Sequence, residues 1–420
     1  MRSASAKQAL DGAMPAAAVV LTGILISVLA CAQEKPSRPE VVPGIEILAG
    51  DSAGVLSGLR VGLITNHTGL SRDGTPAARL LLDAGIDLRV LLAPEHGLRG
   101  SGHPGQAMSD TIDQDTGLPV HSLYGERLTP DPALLDELDA LVFDVQDVGA
   151  RYYTYVSTMA EAMRAAAGSG ILFVVADRPN PIGGESVQGN VLDSAFASFV
   201  GLFPVPMRHG MTAGELALLF NHEFSIGARL AVIPAAGWRR SAWADQTGVP
   251  WIATSPNMPD LESATHYPGT CLFEGTNLSV GRGTERPFQQ IGAPWLDAEE
   301  VVGGIPAASL PGVRLVPVDF TPIGADDGKF EGRSVQGIRL EVTDRNTYDP
   351  TKTAVALLRE IRRSAGADWA WLPETFDRLA GTDRLRLALD SGLAADEIVE
   401  GWAGALQRFQ KMRNRYLLYP

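Results

Sequence analysis

The acidic residue at position 95 has neighbours that suit proton transfer. Glu95 is followed by His96 and by Gly97, which lets the backbone turn sharply, and Arg99 lies two residues further on. A carboxyl group held in a covered crevice can act as a general acid. Glu95 is therefore the first catalytic candidate, with His96 and Arg99 beside it. The alternative is that Glu95 is a structural cap or forms a structural ion pair with Arg99.

Asp144 and Asp147 form a second acidic group, next to Gln146. Cleavage of a glycoside uses two carboxylates, one to protonate the departing oxygen and one to stabilise or attack the sugar carbon. Glu95 and this second group could supply such a pair, although the sequence does not give their separation. We therefore treat Asp144 and Asp147 as catalytic candidates.

An aromatic segment follows, with Arg151, Tyr152, Tyr153 and Tyr155 in close succession. The tyrosine rings could stack on the face of a sugar. At the start of a helix the same rings could equally belong to the hydrophobic core, and the sequence leaves both interpretations open.

Apolar runs that alternate with helical segments must position these residues. We predict strands at residues 60–65, 88–93, 140–144 and 171–176, with helices at 76–84 and 154–167. Uninterrupted apolar strands separated by helices are typical of a parallel sheet that is covered on both faces. Residues 44–235 are therefore predicted to form a doubly wound α/β domain.

A polar cluster follows each predicted strand, at residues 66–68, 94–97, 144–147 and 177–181. In open α/β sheets ligands bind outside the carboxyl ends of the strands. We therefore expect the four clusters to converge on one crevice, which adds Asn66, His67, Asp177, Arg178 and Asn180 to the candidate site.

The second half of the chain has a different texture. Thr212 is a predicted helix N-cap with Glu215 three residues on, and the helix runs over residues 212–222. Residues 235–295 are expected to be a long ordered loop region that holds part of the site. Strands at 313–318 and 337–342 and helices at 351–364 and 394–413 predict a second, smaller α+β domain over residues 236–420.

Composition and missing motifs exclude several functions. The 420 residues carry a net charge of −14 without a basic run, so nucleic acid is not an expected partner. No glycine-rich fingerprint follows the first strand, and we expect no nucleotide cofactor. The seven histidines lack the spacing of a zinc motif, and we expect no metal.

The first 43 residues resemble an export signal and a tether. Arg2 and Lys7 precede an apolar stretch over residues 12–30, and Ala30 stands before Cys31 as in the lipobox of bacterial lipoproteins. We expect residues 1–30 to be a signal peptide, Cys31 to be lipidated, and residues 31–43 to tether the protein to a membrane. Cleaved export and a retained anchor are the alternatives. Either way the protein is expected in the cell envelope or periplasm, with Cys271 buried and unpaired.

Nine motifs in the same order resemble the NamZ-type exo-β-N-acetylmuramidases, and the likeness covers nearly all of residues 44–420. They are TNHTG (65–69), PEHGLRG (94–100), LPVHSLYG (118–125), FDVQDVGARYYTY (143–155), DRPNP (177–181), RHGMT (208–212), SPNMP (255–259), FEGTN (273–277) and GRGT (281–284). The resemblance implies a Rossmann-like N-terminal domain, a C-terminal domain, and hydrolysis that releases N-acetylmuramic acid from the non-reducing end of peptidoglycan fragments.

The resemblance also implies a set of site residues and a partner class. The partners are peptidoglycan-derived saccharides or muropeptides, and the lactyl carboxylate of N-acetylmuramic acid calls for a cation such as Arg151, Arg178 or Arg282. The residues expected to bind substrate are Asn66, His67, His96, Arg99, Gln146, Arg151, Tyr152, Asp177, Arg178, Asn180, Arg208, His209, Asn257, Glu274 and Arg282.

Two positions depart from the family pattern, since Gln188 and Val280 stand where relatives often carry an acid. The second catalytic group is therefore open between Asp144, Asp147, Glu274 and the N-acetyl group of the substrate itself. A non-catalytic muropeptide-binding lipoprotein and a metal-assisted hydrolase of another class are the alternative functions.

Overall fold

A computed structural model of the chain describes residues 40–103, 105–106 and 108–420. The predicted signal peptide, the lipidation site Cys31 and most of the tether lie outside the described residues. Within them, the strands are β1 (Arg60–Thr65), β2 (Asp87–Ala93), β3 (Thr111–Ile112), β4 (Pro119–Ser122), β5 (Ala140–Asp144), β6 (Leu172–Ala176), β7 (Gln188–Val191), β8 (Pro206–Arg208), β9 (Arg229–Ile233), β10 (Gln290–Ala293), β11 (Val313–Phe320) and β12 (Val335–Val342).

The α-helices of the described part alternate with these strands and then dominate the end of the chain. They are α1 (Gly44–Ala49), α2 (Ala77–Asp83), α3 (Pro132–Leu135), α4 (Tyr155–Ser169), α5 (Ala213–Glu223), α6 (Leu261–Thr270), α7 (Ala298–Gly304), α8 (Pro350–Ala365), α9 (Pro373–Ala380), α10 (Arg384–Asp390), α11 (Ala395–Glu400) and α12 (Ala403–Arg413).

The large sheet reverses its strand order at β1. Among the described residues it has the order β3-β4-β2-β1-β5-β6-β9, in which β1 pairs in parallel with both β2 and β5. The chain moves from β1 to β2 on one side, and β5 lies on the other side of β1. Such a switch point opens a crevice at the carboxyl ends of the strands. The predicted doubly wound α/β fold is confirmed.

Helices cover both faces of this sheet because its strands are apolar on both faces. Leu63 of β1 packs in one apolar cluster with Ile45 of α1 and Leu81 of α2. Ile64, the next residue, packs in the other cluster with Met159 of α4. Successive side chains of a strand point to opposite faces, so β1 contributes to both cores.

A smaller second sheet lies in the C-terminal part, as predicted. Within the described residues it has the antiparallel order β10-β12-β11, and α7 packs on it while α8 packs against α6 and α7. One apolar cluster runs from α4 through α6 to α8. The boundary between residues 235 and 236 stays a prediction.

Two expectations about the second half were wrong. Residues 394–413 form two helices, α11 and α12, instead of one, because the helix is interrupted by a turn at Gly401 and Trp402. Residues 235–295 contain the helix α6. This helix has only ten residues and includes Pro268, which does not favour a helix, so the sequence pattern did not predict it. In the described part of the chain, no helix combines the length and apolar character that a bilayer span requires.

Candidate active site

A cleft of about 150 Å³ lies between the end of β2, the start of α4 and the segment that follows α6. Glu95 and His96 come from the turn after β2, Glu274 comes from the 3₁₀-helical turn Cys271–Gly275, and Leu379 comes from α9. The full lining is Glu95, His96, Tyr124, Tyr152, Tyr153, Thr154, Tyr155, Val200, Ser255, Asn257, Met258, Tyr267, Cys271, Glu274, Arg282, Phe288 and Leu379.

Glu95 is held by a hydrogen bond to each carboxylate oxygen. The backbone N–H of Gly105 donates to Oε1 at 3.0 Å, and the Thr154 hydroxyl donates to Oε2 at 2.6 Å. Tyr124 lies beside it, and burial together with the Glu95 charge raises the pKa of that phenol. Tyr124 therefore stays protonated and can donate a hydrogen bond to Glu95.

His96 stands next to Glu95 in a strained backbone conformation. Its φ is +69°, which residues other than glycine rarely adopt, and such backbone strain concentrates at functional sites. Nδ1 lies 2.8 Å from the carbonyl oxygen of Gly102, which can only accept a hydrogen bond. In the neutral ring Nδ1 therefore carries the proton and Nε2 is the acceptor.

Glu274 and Arg282 face each other inside the cleft. Arg282 Nε donates to Glu274 Oε1 at 2.7 Å, and Nη1 of the same guanidinium reaches both oxygens of Asp326 at 3.2 Å. Asp326 also accepts a hydrogen bond from the Asn257 amide at 2.7 Å. Arg282 is thus neutralised by two carboxylates, and one negative charge remains on the group of three.

The tyrosines of residues 152–155 form a buried wall of the cleft, so they belong both to the core and to the site. Tyr153 meets Tyr155 edge to face at 4.9 Å between ring centroids. The hydroxyls of both residues donate at 2.7 Å to Thr254, Tyr153 to Oγ1 and Tyr155 to the carbonyl oxygen. Tyr152 donates to the carbonyl of Pro268. These bonds fix the rings and leave little freedom for rearrangement.

Asp144 and Arg178 form a buried ion pair that does not line the cleft. Arg178 Nε donates to Oδ1 at 2.6 Å and Nη2 donates to Oδ2 at 2.9 Å, while the Asp144 side chain has no exposed surface. Burial raises the pKa of Asp144, and Arg178 opposes that shift. Gln146 is engaged nearby with the carbonyls of Asp147 and Pro179.

Asp147 and His209 form a second buried group away from the cleft lining. Asp147 Oδ2 accepts a hydrogen bond from the backbone N–H of Gly149 at 2.7 Å, and burial raises the pKa of Asp147 to about 7. His209 Nδ1 accepts from the N–H of Met211, which places the proton on Nε2, 3.9 Å from Asp147 Oδ2. Burial lowers the pKa of His209 to about 3, so the ring is neutral.

Both terminal nitrogens of Arg151 donate hydrogen bonds to backbone carbonyls, so this side chain is not available to a ligand in the cleft. Nη1 donates to Asn190 and Val205, and Nη2 donates to Leu379 and Ala380 at 2.8 Å each. Burial lowers the pKa of Arg151 to about 10. Its guanidinium instead fixes the C-terminal end of α9, whose last residues are Leu379 and Ala380.

Asp177 is a buried anchor for two distant segments. It accepts hydrogen bonds from the Thr212 hydroxyl and the Gly214 N–H at the start of α5, and from the hydroxyl of Tyr419. Burial raises its pKa to about 6, and these hydrogen bonds oppose the shift. Asp177 holds α5 and the chain terminus in place and does not line the cleft.

Asn180 and Arg208 are structural as well. The Asn180 amide donates to the carbonyl of Met211, and Arg208 donates to the carbonyl of Ile182 and to Gln188 Oε1, the latter at 2.9 Å. Gln188 therefore departs from the family pattern at a position outside the cleft.

Val280, the second departure, is fully buried in the apolar core. It does not line the cleft either. An acid at position 188 or at position 280 would therefore not line the cleft.

Asn66 and His67 line a separate cavity of about 420 Å³ beside α2. Asn66 Oδ1 accepts from the N–H and hydroxyl of Thr68, and His67 Nε2 lies 2.6 Å from the carbonyl of Ala253. The clusters at the strand ends therefore do not converge on one crevice. Asn66 and His67 lie at this cavity, whereas Glu95 and His96 of the 94–97 cluster line the cleft.

Arg99 lies at the same cavity and is paired with Asp113 at 2.8 Å and Asp115 at 2.6 Å. The alternative of a structural ion pair between Glu95 and Arg99 is therefore wrong. Among the described residues, the hydrogen-bond partners of the Glu95 carboxylate are Gly105 and Thr154, and no arginine is among them.

Tyr124, Thr154, Ser255, Cys271 and Leu379 line the cleft and were not among the candidates. Tyr124, Thr154 and Ser255 lie within the family-like motifs and could have been found there. Leu379 follows no motif, and only packing brings α9 to the cleft. Cys271 is free and buried as expected, with Sγ 3.4 Å from Glu274 Oε2. The described residues hold no group of three potential metal ligands.

Comparisons with family models and with a curated relative identify the same family over most of the chain. Residues 61–262 match the family model described as exo-beta-N-acetylmuramidase NamZ, N-terminal, and residues 265–419 match its C-terminal counterpart. The chain is 43% identical over 384 residues to the peptidoglycan beta-N-acetylmuramidase NamZ of Bacillus subtilis (strain 168), which covers 91% of this chain and 92% of the relative.

Two crystal structures of DUF1343 family proteins from Bacteroides fragilis NCTC 9343 have the same fold. The first superposes with a TM-score of 0.84 at 34% identity and covers 91% of this chain and 99% of its own. The second has a TM-score of 0.74 at 32% identity and covers 90% of this chain and 99% of its own.

Proposed function

The chain belongs to the NamZ family of exo-β-N-acetylmuramidases and is a glycosidase, and we propose that the cleft around Glu95 is where it acts. The reaction is hydrolysis of the β-glycosidic bond that links a non-reducing terminal N-acetylmuramic acid to a peptidoglycan fragment. The observation that carries this proposal is the pairing of Glu95 and Glu274 in one cleft.

Glu95 is the proposed general acid. It protonates the departing glycosidic oxygen as the bond to the sugar carbon breaks, and water supplies the hydroxyl that ends on that carbon. Thr154 and the N–H of Gly105 hold the two carboxyl oxygens in place, so no reorganisation is needed at the moment of proton transfer.

Glu274 is the proposed second carboxylate. Arg282 Nη2 lies 2.6 Å from its Oε1 and holds the carboxylate in place, where it can stabilise positive charge that develops on the sugar. Asp144 and Asp147, the other candidates, are buried outside the cleft lining. The tyrosine wall and Met258 give the cleft an apolar side for the sugar ring.

Hydrolysis of a chromogenic β-N-acetylmuramide tests this proposal. Glu95→Gln keeps the size of the side chain but cannot donate the proton, and we expect kcat to fall about 10²- to 10⁴-fold. Glu274→Gln should also lose activity. The matched control is Glu285→Gln, an exposed glutamate three residues after Arg282 that does not line the cleft, which should retain full activity.

The assignment would be refuted by undiminished release from Glu95→Gln. Binding of N-acetylmuramic acid without any turnover by the wild type would instead indicate a muropeptide-binding protein. The unfolding temperature of each variant must match the wild type, so that lost activity reports chemistry and not misfolding.

We further propose that the protein is exported and lipid-anchored through Cys31. The charged start, the apolar stretch over residues 12–30 and Ala30 before Cys31 support this proposal. In a bacterial host, the wild-type chain should incorporate labelled fatty acid and sediment with membranes. Cys31→Ser should do neither, and a Cys31→Ser variant that still carries the label would overturn the assignment.

A further inference from the structure

The proposed substrate carries a lactyl carboxylate, yet the cleft itself is acidic. Glu95 and Glu274 line it, and Asp326 shares the guanidinium of Arg282. A carboxylate that enters this cleft needs a cation with free donors, because two like charges at close range repel each other.

The three arginines expected to provide that cation are already engaged. Arg151 donates to four backbone carbonyls, Arg178 pairs with Asp144, and Arg282 pairs with two carboxylates. Breaking any of these contacts would leave polar or charged groups of the fold without their partners. None of the three is free to bind substrate.

Arg378 lies on α9, the helix that contributes Leu379 to the cleft. It directly precedes Leu379, which is part of the cleft lining, and its own side chain is exposed. It forms neither a hydrogen bond nor an ion pair with any residue that the structure describes. Its donors are therefore available to a ligand.

The helix that carries Arg378 packs directly on the segment that carries Glu274. The N–H of Leu372 donates to the carbonyl of Gly275 at 2.8 Å. Gly275 also touches Phe376 so closely that an added Cβ would lie 2.4 Å from the Phe376 Cα. α9 is thus fixed against one wall of the cleft.

The charge of Arg378 also acts on Tyr124, another residue of the cleft lining. Burial and Glu95 raise the pKa of Tyr124, and Arg378 acts in the opposite direction on the same hydroxyl. Tyr124 lines the cleft beside Glu95. The guanidinium is therefore within electrostatic range of the space that a bound sugar would occupy.

Distant residues hold the end of α9 rigid. Arg151 donates to the carbonyls of Leu379 and Ala380, and the Asn190 amide donates to Ala380 at 2.7 Å. An arginine on a rigid helix loses less entropy on binding a carboxylate than one on a mobile loop.

We propose that Arg378 receives the lactyl carboxylate of the substrate and thereby selects N-acetylmuramic acid over sugars that lack this group. The proposal rests on the proposed function of the cleft. A guanidinium can bind a carboxylate with two parallel hydrogen bonds, which gives both charge and shape selection.

Competitive inhibition by N-acetylmuramic acid and by its neutral methyl ester tests the proposal, with hydrolysis of the chromogenic muramide as the readout. For the wild type we expect the ester to bind about 10- to 100-fold more weakly than the acid. In Arg378→Met the KM for the muramide should rise by a similar factor, and the acid and the ester should inhibit equally.

Two further variants complete the experiment. Arg378→Lys keeps the charge and should recover part of the preference for the acid. Arg384→Met removes an exposed arginine of α10, whose nearest carboxylate lies at 3.5 Å, and should behave as the wild type. An unchanged KM and an unchanged preference for the acid in Arg378→Met would overturn the proposal. A wild type that releases nothing from the muramide would instead refute the function on which the proposal rests.

Discussion

The buried pair of Asp144 and Arg178 distinguishes a structural carboxylate from a catalytic one. Asp144 comes directly at the end of β5, and the sequence pattern made it a catalytic candidate. In the structure its side chain has no exposed surface, that of Arg178 is 4% exposed, and two hydrogen bonds join them. We predict that Asp144→Asn destabilises the protein and leaves the chemistry of the folded molecules intact.

The size of the effect follows from the burial of both charges. Removing one partner of a buried ion pair leaves the other charge uncompensated, which costs about 3–5 kcal/mol. An unfolding entropy of about 2.1 cal/mol/K per residue gives about 0.8 kcal/mol/K for the 379 residues that the structure describes. The unfolding temperature of Asp144→Asn should therefore fall by roughly 4–6 °C.

A double-mutant cycle with Arg178→Met measures the coupling. The double variant should lose less free energy of unfolding than the sum of the single variants, because it leaves no isolated charge in the core. Urea denaturation followed by tryptophan fluorescence gives the free energies, and the chromogenic muramide gives kcat per folded molecule. If Asp144→Asn keeps its stability within about 0.5 kcal/mol and loses turnover, the carboxylate is catalytic and the structural argument is refuted.

Three further outcomes follow from the same structure. Arg151→Met should lower the free energy of unfolding by about 1–3 kcal/mol, because the carbonyls it serves lose donors, and urea denaturation checks this value. Asp147 holds its proton to about pH 7 in the folded state but to about pH 4 when unfolded, so stability falls as pH rises through this window, by up to about 1.4 kcal/mol per unit. Asp147→Asn removes this contribution, so its stability should fall less steeply with pH than that of the wild type in denaturation series from pH 4 to 7, and an equal slope in both proteins would contradict the assignment. Gln188→Glu restores the acid that relatives often carry but lies outside the cleft, so kcat should change less than about twofold in the muramide assay, and a large gain would show that the departure matters.

Local sequence patterns were sufficient for the strands of the large sheet. Strands β1 and β5 have the predicted bounds, and β2 and β6 differ from prediction by one residue at their first position. These segments are apolar on both faces, so burial and β-propensity agree at each position. Thr212 and Glu215 likewise form the predicted capping box of α5, since its hydrogen bonds join residues three positions apart.

Glu95 was found from sequence for the same local reason. It lies two residues after β2 and two residues before Gly97, so its place at the carboxyl edge depends on neighbouring residues alone. The break of the last predicted helix and the position of α9 could not be found this way, because each depends on packing against segments far away in the chain.

By itself, the sequence determined the sheet, the strand ends and the family. These depend on short-range periodicity and on motifs of consecutive residues, which can be recognised without knowledge of tertiary contacts. Only the tertiary structure decided which polar residues face the cleft. Asp144, Asp147 and Asp177 follow strands just as Glu95 does, yet each is buried by a partner that packing supplies. Arg151 is bound by carbonyls up to 229 positions away. Burial and pairing are properties of the assembled core, and they separate the residues that can meet a substrate from those that hold the fold together.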